Sequence, residues 1–76
     1  MKTIIITGAS TGIGKSIAQL FLEKGYNVVI NSANLQNLEA TFKELGHHSQ
    51  LAMVQGDVSL PETGKQLVQT ALERFG

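Results

Sequence analysis

The sequence predicts an α/β fold, the N-terminal βαβαβα half of a doubly wound parallel sheet with strand order 3-2-1. Three observations predict it. Apolar runs at residues 4–6, 28–30 and 51–54 are unbroken rather than alternating, as in strands covered on both faces. Each run is followed by a stretch with helical apolar spacing. The links between them are short, and right-handed crossovers then place successive parallel strands side by side.

Residues 2–6 form the first strand, β-branched and apolar. The stretch Thr7-Gly8-Ala9-Ser10-Thr11-Gly12-Ile13-Gly14 follows as a glycine-rich turn into a first helix over residues 12–24. The apolar stripe of that helix is Ile13, Ile17, Leu20 and Phe21; Glu23 and Lys24 face water, and Gly25 stops it. Residues 27–31 are a second short strand. Asn34 caps a second helix over residues 35–45, with Leu35, Leu38, Phe42 and Leu45 at helical spacing before Gly46.

Residues 46–49 are a turn, and residues 51–54 a third strand. Ser59-Leu60-Pro61-Glu62 has the pattern of a capping box, with proline near the first helical position, where its missing N–H costs nothing. A third helix extends to Phe75 on the stripe Leu67, Val68, Ala71, Leu72 and Phe75, and Gly64 weakens its first turn by up to about 1 kcal/mol.

Composition narrows the function classes. With 76 residues the chain holds one small domain or part of a larger one. A chain of this size buries only about 60% of its unfolded surface, so its stability is marginal without staples or partners. Absence of cysteine excludes a disulfide framework and a thiolate metal site, and makes the cytoplasm the expected location. Six basic and six acidic residues are scattered at zero net charge, which argues against nucleic acid as a partner. No stretch approaches the roughly 20 apolar residues of a membrane span, so no membrane partner is expected. Lys2 before Ile4-Ile5-Ile6 looks like the start of a secretory signal, but the apolar run stops at Thr7-Gly8. His47-His48 reads as a solvated turn with no metal, because adjacent side chains diverge and no third ligand is near.

Three readings compete for the glycine-rich turn. Its glycines let the backbone turn sharply and approach a ligand closely, and the next helix offers unpaired N–H groups and a positive dipole end, which suits phosphate. Under dinucleotide binding, Gly8, Gly12 and Gly14 shape the turn under a pyrophosphate. The common G-x-G-x-x-G pattern is not met, because Ile17 holds its last position; the spacing is T-G-x-x-x-G-x-G. Under a triphosphatase P-loop, Gly14-Lys15-Ser16 supplies the end of G-x-x-x-x-G-K-[ST], but the first glycine falls on Ala9. The third reading is a merely structural turn.

The stretch from Thr7 to Gly14 resembles the cofactor turn of the short-chain dehydrogenase/reductase family, written T-G-x-x-x-G-x-G and often continued as Thr-Gly-Ala-Ser-x-Gly-Ile-Gly. Gly25-Tyr26-Asn27-Val28-Val29-Ile30 looks like that family's second strand, Asp57-Val58 like its acidic residue after the third, and Leu72-Glu73-Arg74-Phe75-Gly76 like the end of its third helix. The resemblance implies a Rossmann-type sheet and an NAD(P)-dependent oxidoreductase that moves hydride between nicotinamide and a small carbonyl or alcohol substrate, with a homo-oligomer as the complete protein.

By the same resemblance, the backbone of Gly8 to Gly14 lines the pyrophosphate and ribose. Ser10 and Thr11 add hydroxyls, Ile13 lies beneath the cofactor, and Lys15 is solvated rather than bound to phosphate. Asn31, Ser32 and Ala33 stand at the position that separates NAD from NADP. An acid there binds the ribose 2′-hydroxyl and repels a 2′-phosphate; this chain has none, which leans the expectation to NADP. Asp57 is the partner of the adenine amino group, and Val58 presents backbone and side chain to the ring.

The family's chemistry belongs to a Tyr-x-x-x-Lys motif with a serine and an asparagine, all beyond the third helix. Tyr26, the only tyrosine, has Ile30 four positions on and reads as a packing residue. No catalytic residue is therefore expected within the chain. The family's fourth strand, with its Asn-Asn-Ala-Gly segment, pairs with the first strand and supplies the other wall of the cofactor crevice. The expectation is that the 76 residues are the N-terminal part of a single NAD(P)-binding domain, cut before that strand, and poorly stable and inactive by themselves. The alternatives are a P-loop nucleotide triphosphatase and a non-catalytic nucleotide-binding or interaction module using its open strand edge.

Overall fold

The computed structural model describes residues 2–76. In order, the elements are β1 (Thr3–Thr7), α1 (Gly12–Glu23), β2 (Asn27–Ser32), α2 (Leu35–Leu45), β3 (Leu51–Gln55) and α3 (Pro61–Phe75). The three strands form one parallel sheet with β2 in the middle, which is the expected 3-2-1 order. Strand ends shift by a residue from expectation, with β1 starting at Thr3 and β2 and β3 each one residue longer.

Helices cover both faces. Val28 and Ile30 of β2 point to the side where Ala18 and Leu22 of α1 and Leu38 and Leu45 of α2 pack, joined by Ile6 and Leu51. Val29, Ala52 and Val54 point to the other side, against Leu67, Ala71 and Phe75 of α3. Every residue of β2 is buried. β1 is an edge strand, not one covered on both faces, and Ile5 keeps 38% of its surface on the side of α3.

Two apolar stripes differ from expectation. Helix α1 packs through Gly14, Ala18 and Leu22, whereas Ile13, Ile17 and Leu20 lie outward, Ile13 at 80% exposure. The helix is rotated by roughly a third of a turn from the side that hydrophobicity alone selects. Small residues explain this: a Cβ on Gly14 would sit 2.6 Å from Gly8 O and 2.9 Å from Ala9 Cα, so only the glycine side of the helix fits this close to the end of β1. On α3, Thr63 and Leu67 are buried with Ala71 and Phe75 behind them, while Val68 and Leu72 flank that line and stay exposed. Leu35, in the first turn of α2, is also exposed.

Helix ends follow local chemistry. Asn34 caps α2, its Oδ1 accepting the Asn37 N–H at 2.9 Å. Gly25, at φ 87°, closes α1 by donating its N–H to Leu22 O at 3.0 Å. The expected capping box at α3 does not form. The N-cap is Leu60, with Pro61 beginning the helix, and the Ser59 hydroxyl donates back to Asp57 and makes no capping bond with Glu62. Tyr26 is a packing residue as expected, edge-on to Phe21 with ring centroids 4.9 Å apart. His48 stacks on Phe42 in the turn after α2. Among the described residues no helix is long and apolar enough to cross a membrane, and no group of three potential metal ligands occurs.

Candidate functional site

Parallel strands present their C-terminal ends on one rim, and there the chain leaves β1, β2 and β3 by three neighbouring loops. The first is the glycine turn. Gly8 takes φ +66°, which a side chain rarely adopts. The Thr11 hydroxyl donates to Gly8 O at 2.9 Å, so Thr11 is the N-cap of α1 without a side-chain cap bond. Lys15 N–H closes the first helical bond onto Thr11 O at 2.9 Å, which leaves the N–H groups of residues 12–14 directed off the helix end.

The three glycines answer different needs. Gly8 serves the turn and Gly14 the packing of α1 on β1. Gly12 is required by neither, because its φ is ordinary and a Cβ there would meet nothing within 4 Å. A glycine that the fold itself does not need, facing open space at a helix N-terminus, fits a ligand that must approach the backbone closely.

The second loop follows β2. Asn31 is buried at 1% exposure, and its amide points to β3 rather than outward, donating to Val54 O at 2.9 Å and Gly56 O at 3.1 Å. Ser32 accepts the Asn34 N–H at 3.2 Å, and its hydroxyl oxygen lies 2.9 Å from that of Ser10 in the glycine turn. Ala33 is exposed, and its carbonyl accepts from Gln55 Nε2 at 2.8 Å.

The third loop follows β3 and carries Gly56, Asp57 and Val58. Asp57 Oδ1 accepts the Ser59 N–H at 2.9 Å and the Ser59 hydroxyl at 2.7 Å. The Ser59 N–H, and after it the hydroxyl, hold the carboxyl below its ordinary value of 3.8, against a small opposing effect of burial. Asp57 is thus anionic at neutral pH. Val58 is exposed beside it.

These loops enclose a cleft of about 270 Å³, lined by Gly8, Ser10, Thr11, Asn31, Ser32, Ala33, Gly56, Asp57 and Val58. Eight of the eleven residues expected from the sequence meet there; Gly12, Ile13 and Gly14 lie just beyond, on the first turn of α1. Sequence reasoning missed Gly56. Its signal is steric, since a Cβ there would come within 2.7 Å of Thr63 Oγ1. Asp57 is the only ionisable side chain among the nine lining residues.

Lys15 lies at the surface, its side chain partly exposed to water. It forms an ion pair with Glu44 of α2, which binds the two helices together at their surface. With Lys15 so engaged and Ala9 fully buried at the position where a P-loop needs its first glycine, the geometry lends no support to triphosphate binding. A larger depression of about 480 Å³ lies on the outer side of α3, around Gly64, Val68 and Leu72, away from the three loops.

The sequence pattern of the short chain dehydrogenase family matches residues 2–76. The chain belongs to that family. It is similar to L-rhamnose-1-dehydrogenase of Scheffersomyces stipitis, 38% identical over 80 residues that cover 99% of this chain and 31% of that protein. Among solved structures it is similar to a short-chain dehydrogenase/reductase, glucose/ribitol dehydrogenase, of Brucella melitensis, with TM-score 0.93 and 36% identity over 99% of this chain and 32% of that one. It is also similar to 3-ketoacyl-(acyl-carrier-protein) reductase of Brucella melitensis in complex with NADH, with TM-score 0.87 and 32% identity over 99% of this chain and 30% of that one. The chain thus spans about 31% of the length of the curated relative it matches.

Proposed function

We propose that this chain carries the dinucleotide half-site of an NAD(P)-dependent short-chain dehydrogenase/reductase that moves hydride between a nicotinamide and a carbonyl or alcohol substrate. The observation that carries this reading is Gly12, a glycine that neither backbone conformation nor packing demands, standing between the cleft and the open N-terminus of α1. The residues present fit the cofactor. The N–H groups of Gly12, Ile13 and Gly14 receive pyrophosphate, with Gly8 shaping the approach. Ser10, Thr11, Ser32 and Ala33 surround the adenosine ribose, Asp57 accepts from the adenine amino group, and Val58 lies against the ring. A bound nicotinamide supplies the carbon that takes or gives hydride, and this chain's own residues bind and orient the adenosine end.

We further propose that the 76 residues form one part of a single domain that continues beyond α3. Helices α1 and α2 lie on one face of the sheet and α3 on the other. A right-handed crossover through α3 carries the chain back past β2 to the open side of β1, so the next strand pairs with β1 and faces the glycine turn. The exposed Ile5, Val68 and Leu72 support this continuation. The Tyr-x-x-x-Lys motif of the family has no counterpart among the 76 residues, so the isolated segment is inactive in this reading.

NADP is favoured over NAD on one ground. The neutral hydroxyl of Ser32 at the end of β2 meets that of Ser10 from the glycine turn, with no carboxylate there to repel a 2′-phosphate. The test is titration of the full-length protein with NADPH and NADH, read by nicotinamide fluorescence. Binding of at least one in the range of about 1 µM to 1 mM is expected. Magnesium-dependent triphosphate binding with no dinucleotide binding would overturn the reading, as would a reading frame that continues past Gly76 without Asn-Asn-Ala-Gly and Tyr-x-x-x-Lys segments.

A further inference from the structure

Asn31 is the last residue of β2 with a partner on both sides, Thr7 of β1 and Val54 of β3. Past this row β1 leaves the sheet, while β2 and β3 stay paired for one more residue, Ser32 with Gln55. The Asn31 amide adds side-chain donors to the backbone ladder at that end. Its two hydrogens go to Val54 O at 2.9 Å and Gly56 O at 3.1 Å, which uses its full donor capacity. On the other side, Asn31 O accepts the Ala9 N–H of the glycine turn at 3.0 Å. One buried residue therefore holds both the phosphate loop and the loop that carries Asp57.

We infer that Asn31 is a positioning residue that sets the spacing between the glycine turn and Asp57, and so the fit of the cleft to the adenosine half of a dinucleotide. This rests on the cofactor reading above. Val28, Val29 and Ile30 show what the interior of β2 otherwise selects, fully buried β-branched residues. A buried amide in the next position costs desolvation, offset only by the bonds it donates. One of those bonds ends on Gly56 O, in the peptide next to Asp57, and the other on Val54 O at the end of β3. The Gly56 N–H donates to Ser32 O at 3.1 Å, and the space where its Cβ would stand is filled by Thr63, so Gly56 is held between β2 and α3. Removing the Asn31 donors frees the carbonyl side of that clamp and lets Asp57 drift from the glycine turn.

The test compares the full-length wild type with Asn31→Asp, which is nearly the same shape but turns acceptor oxygens on two carbonyls, and with Asn31→Ser, which removes both donors without adding charge. Probes are 5′-AMP for the adenosine half and nicotinamide mononucleotide for the other half, each by calorimetry, with thermal unfolding recorded in parallel. Expected is a rise of about tenfold or more in the 5′-AMP Kd in both folded variants, larger than any change for nicotinamide mononucleotide. In Asn31→Asp the 5′-AMP affinity should partly recover at acid pH, where the protonated carboxyl again donates one bond. Unchanged 5′-AMP affinity in a folded variant, or equal losses for both probes, overturns the assignment. So does failure of both variants to fold under conditions where the wild type is folded, which makes Asn31 a fold determinant only. A wild type that binds neither NADH nor NADPH overturns the cofactor reading itself, and this assignment with it.

Discussion

The hydroxyl oxygens of Ser10 and Ser32 lie 2.9 Å apart, joining the turn after β1 to the end of β2 through two neutral groups. Ser32 is fixed further by the Asn34 N–H at 3.2 Å, which also opens the second helix. Under the proposed cofactor reading, a carboxylate at this point would face a 2′-phosphate directly, whereas the serine pair accommodates either a hydroxyl or a phosphate.

Ser32→Asp should therefore convert tolerance into selection. Two like charges about 4 Å apart at a protein surface repel by about 4 kcal/mol before screening by salt reduces it. The expected outcome is an NADPH Kd raised by about tenfold or more, with the NADH Kd changed far less. Fluorescence titration with both cofactors measures the ratio. Equal loss for the two would remove Ser32 from the 2′ position.

Gly14 and Gly12 should respond oppositely to the same added methyl. In Gly14→Ala the new Cβ meets Gly8 O at 2.6 Å and Ala9 Cα at 2.9 Å, both backbone, so α1 must move. A cost of about 1–3 kcal/mol in urea unfolding is expected. Gly12→Ala meets nothing within 4 Å and should leave stability within about 0.5 kcal/mol, yet weaken dinucleotide binding at least severalfold. Normal binding by Gly12→Ala would count against close ligand approach at this backbone.

Asp57 makes a statement about pH. Its carboxyl is held below 3.8 by the Ser59 N–H and hydroxyl, so the folded state favours the charged form. The sign follows from linkage: this contribution to stability is fully present above the unfolded-state value and disappears as pH falls through the depressed folded-state value. Carbon-detected NMR titration should place Asp57 below 3.8 in the wild type and move it upward in Ser59→Ala, only partly, since the backbone N–H remains. No movement would mean that the hydroxyl is not a partner in solution.

The outer side of α3 gives a fourth test. Leu72, 62% exposed, and Val68 beside it should drive self-association of the isolated 76-residue segment, as should the unpaired edge of β1. Leu72→Glu should raise its monomer fraction in sedimentation velocity. Leu67→Ala, by contrast, removes a side chain buried between α3 and the sheet and should cost about 2–5 kcal/mol. A wild-type segment that unfolds cooperatively as a monomer would contradict the proposed continuation past α3.

Much of the fold was legible because its signals are local. The Asn34 cap, the Gly25 stop and the order of strands and helices depend on residues a few positions apart, where spacing carries the information. The glycine turn was legible as a motif, but its spacing does not say which glycine serves which need. Ser59 shows the limit of local reading. The S-x-x-E spacing also fits a chain in which Ser59 donates back to Asp57 at 2.7 Å and the helix begins one residue later, at Pro61, with Leu60 as its N-cap.

By itself the sequence determined the alternation of elements, the parallel sheet and the family, because hydrophobic period and glycine spacing survive without knowledge of distant neighbours. Only the tertiary structure decided that α1 packs through Gly14 and Ala18 rather than its isoleucines, since the depth of approach to β1 is set by what lies beneath the helix. It alone turned the Asn31 amide toward Val54 and Gly56 and brought Ser10 to Ser32. These pairs are more than twenty positions apart in the chain, and nothing in local propensity points from one member to the other.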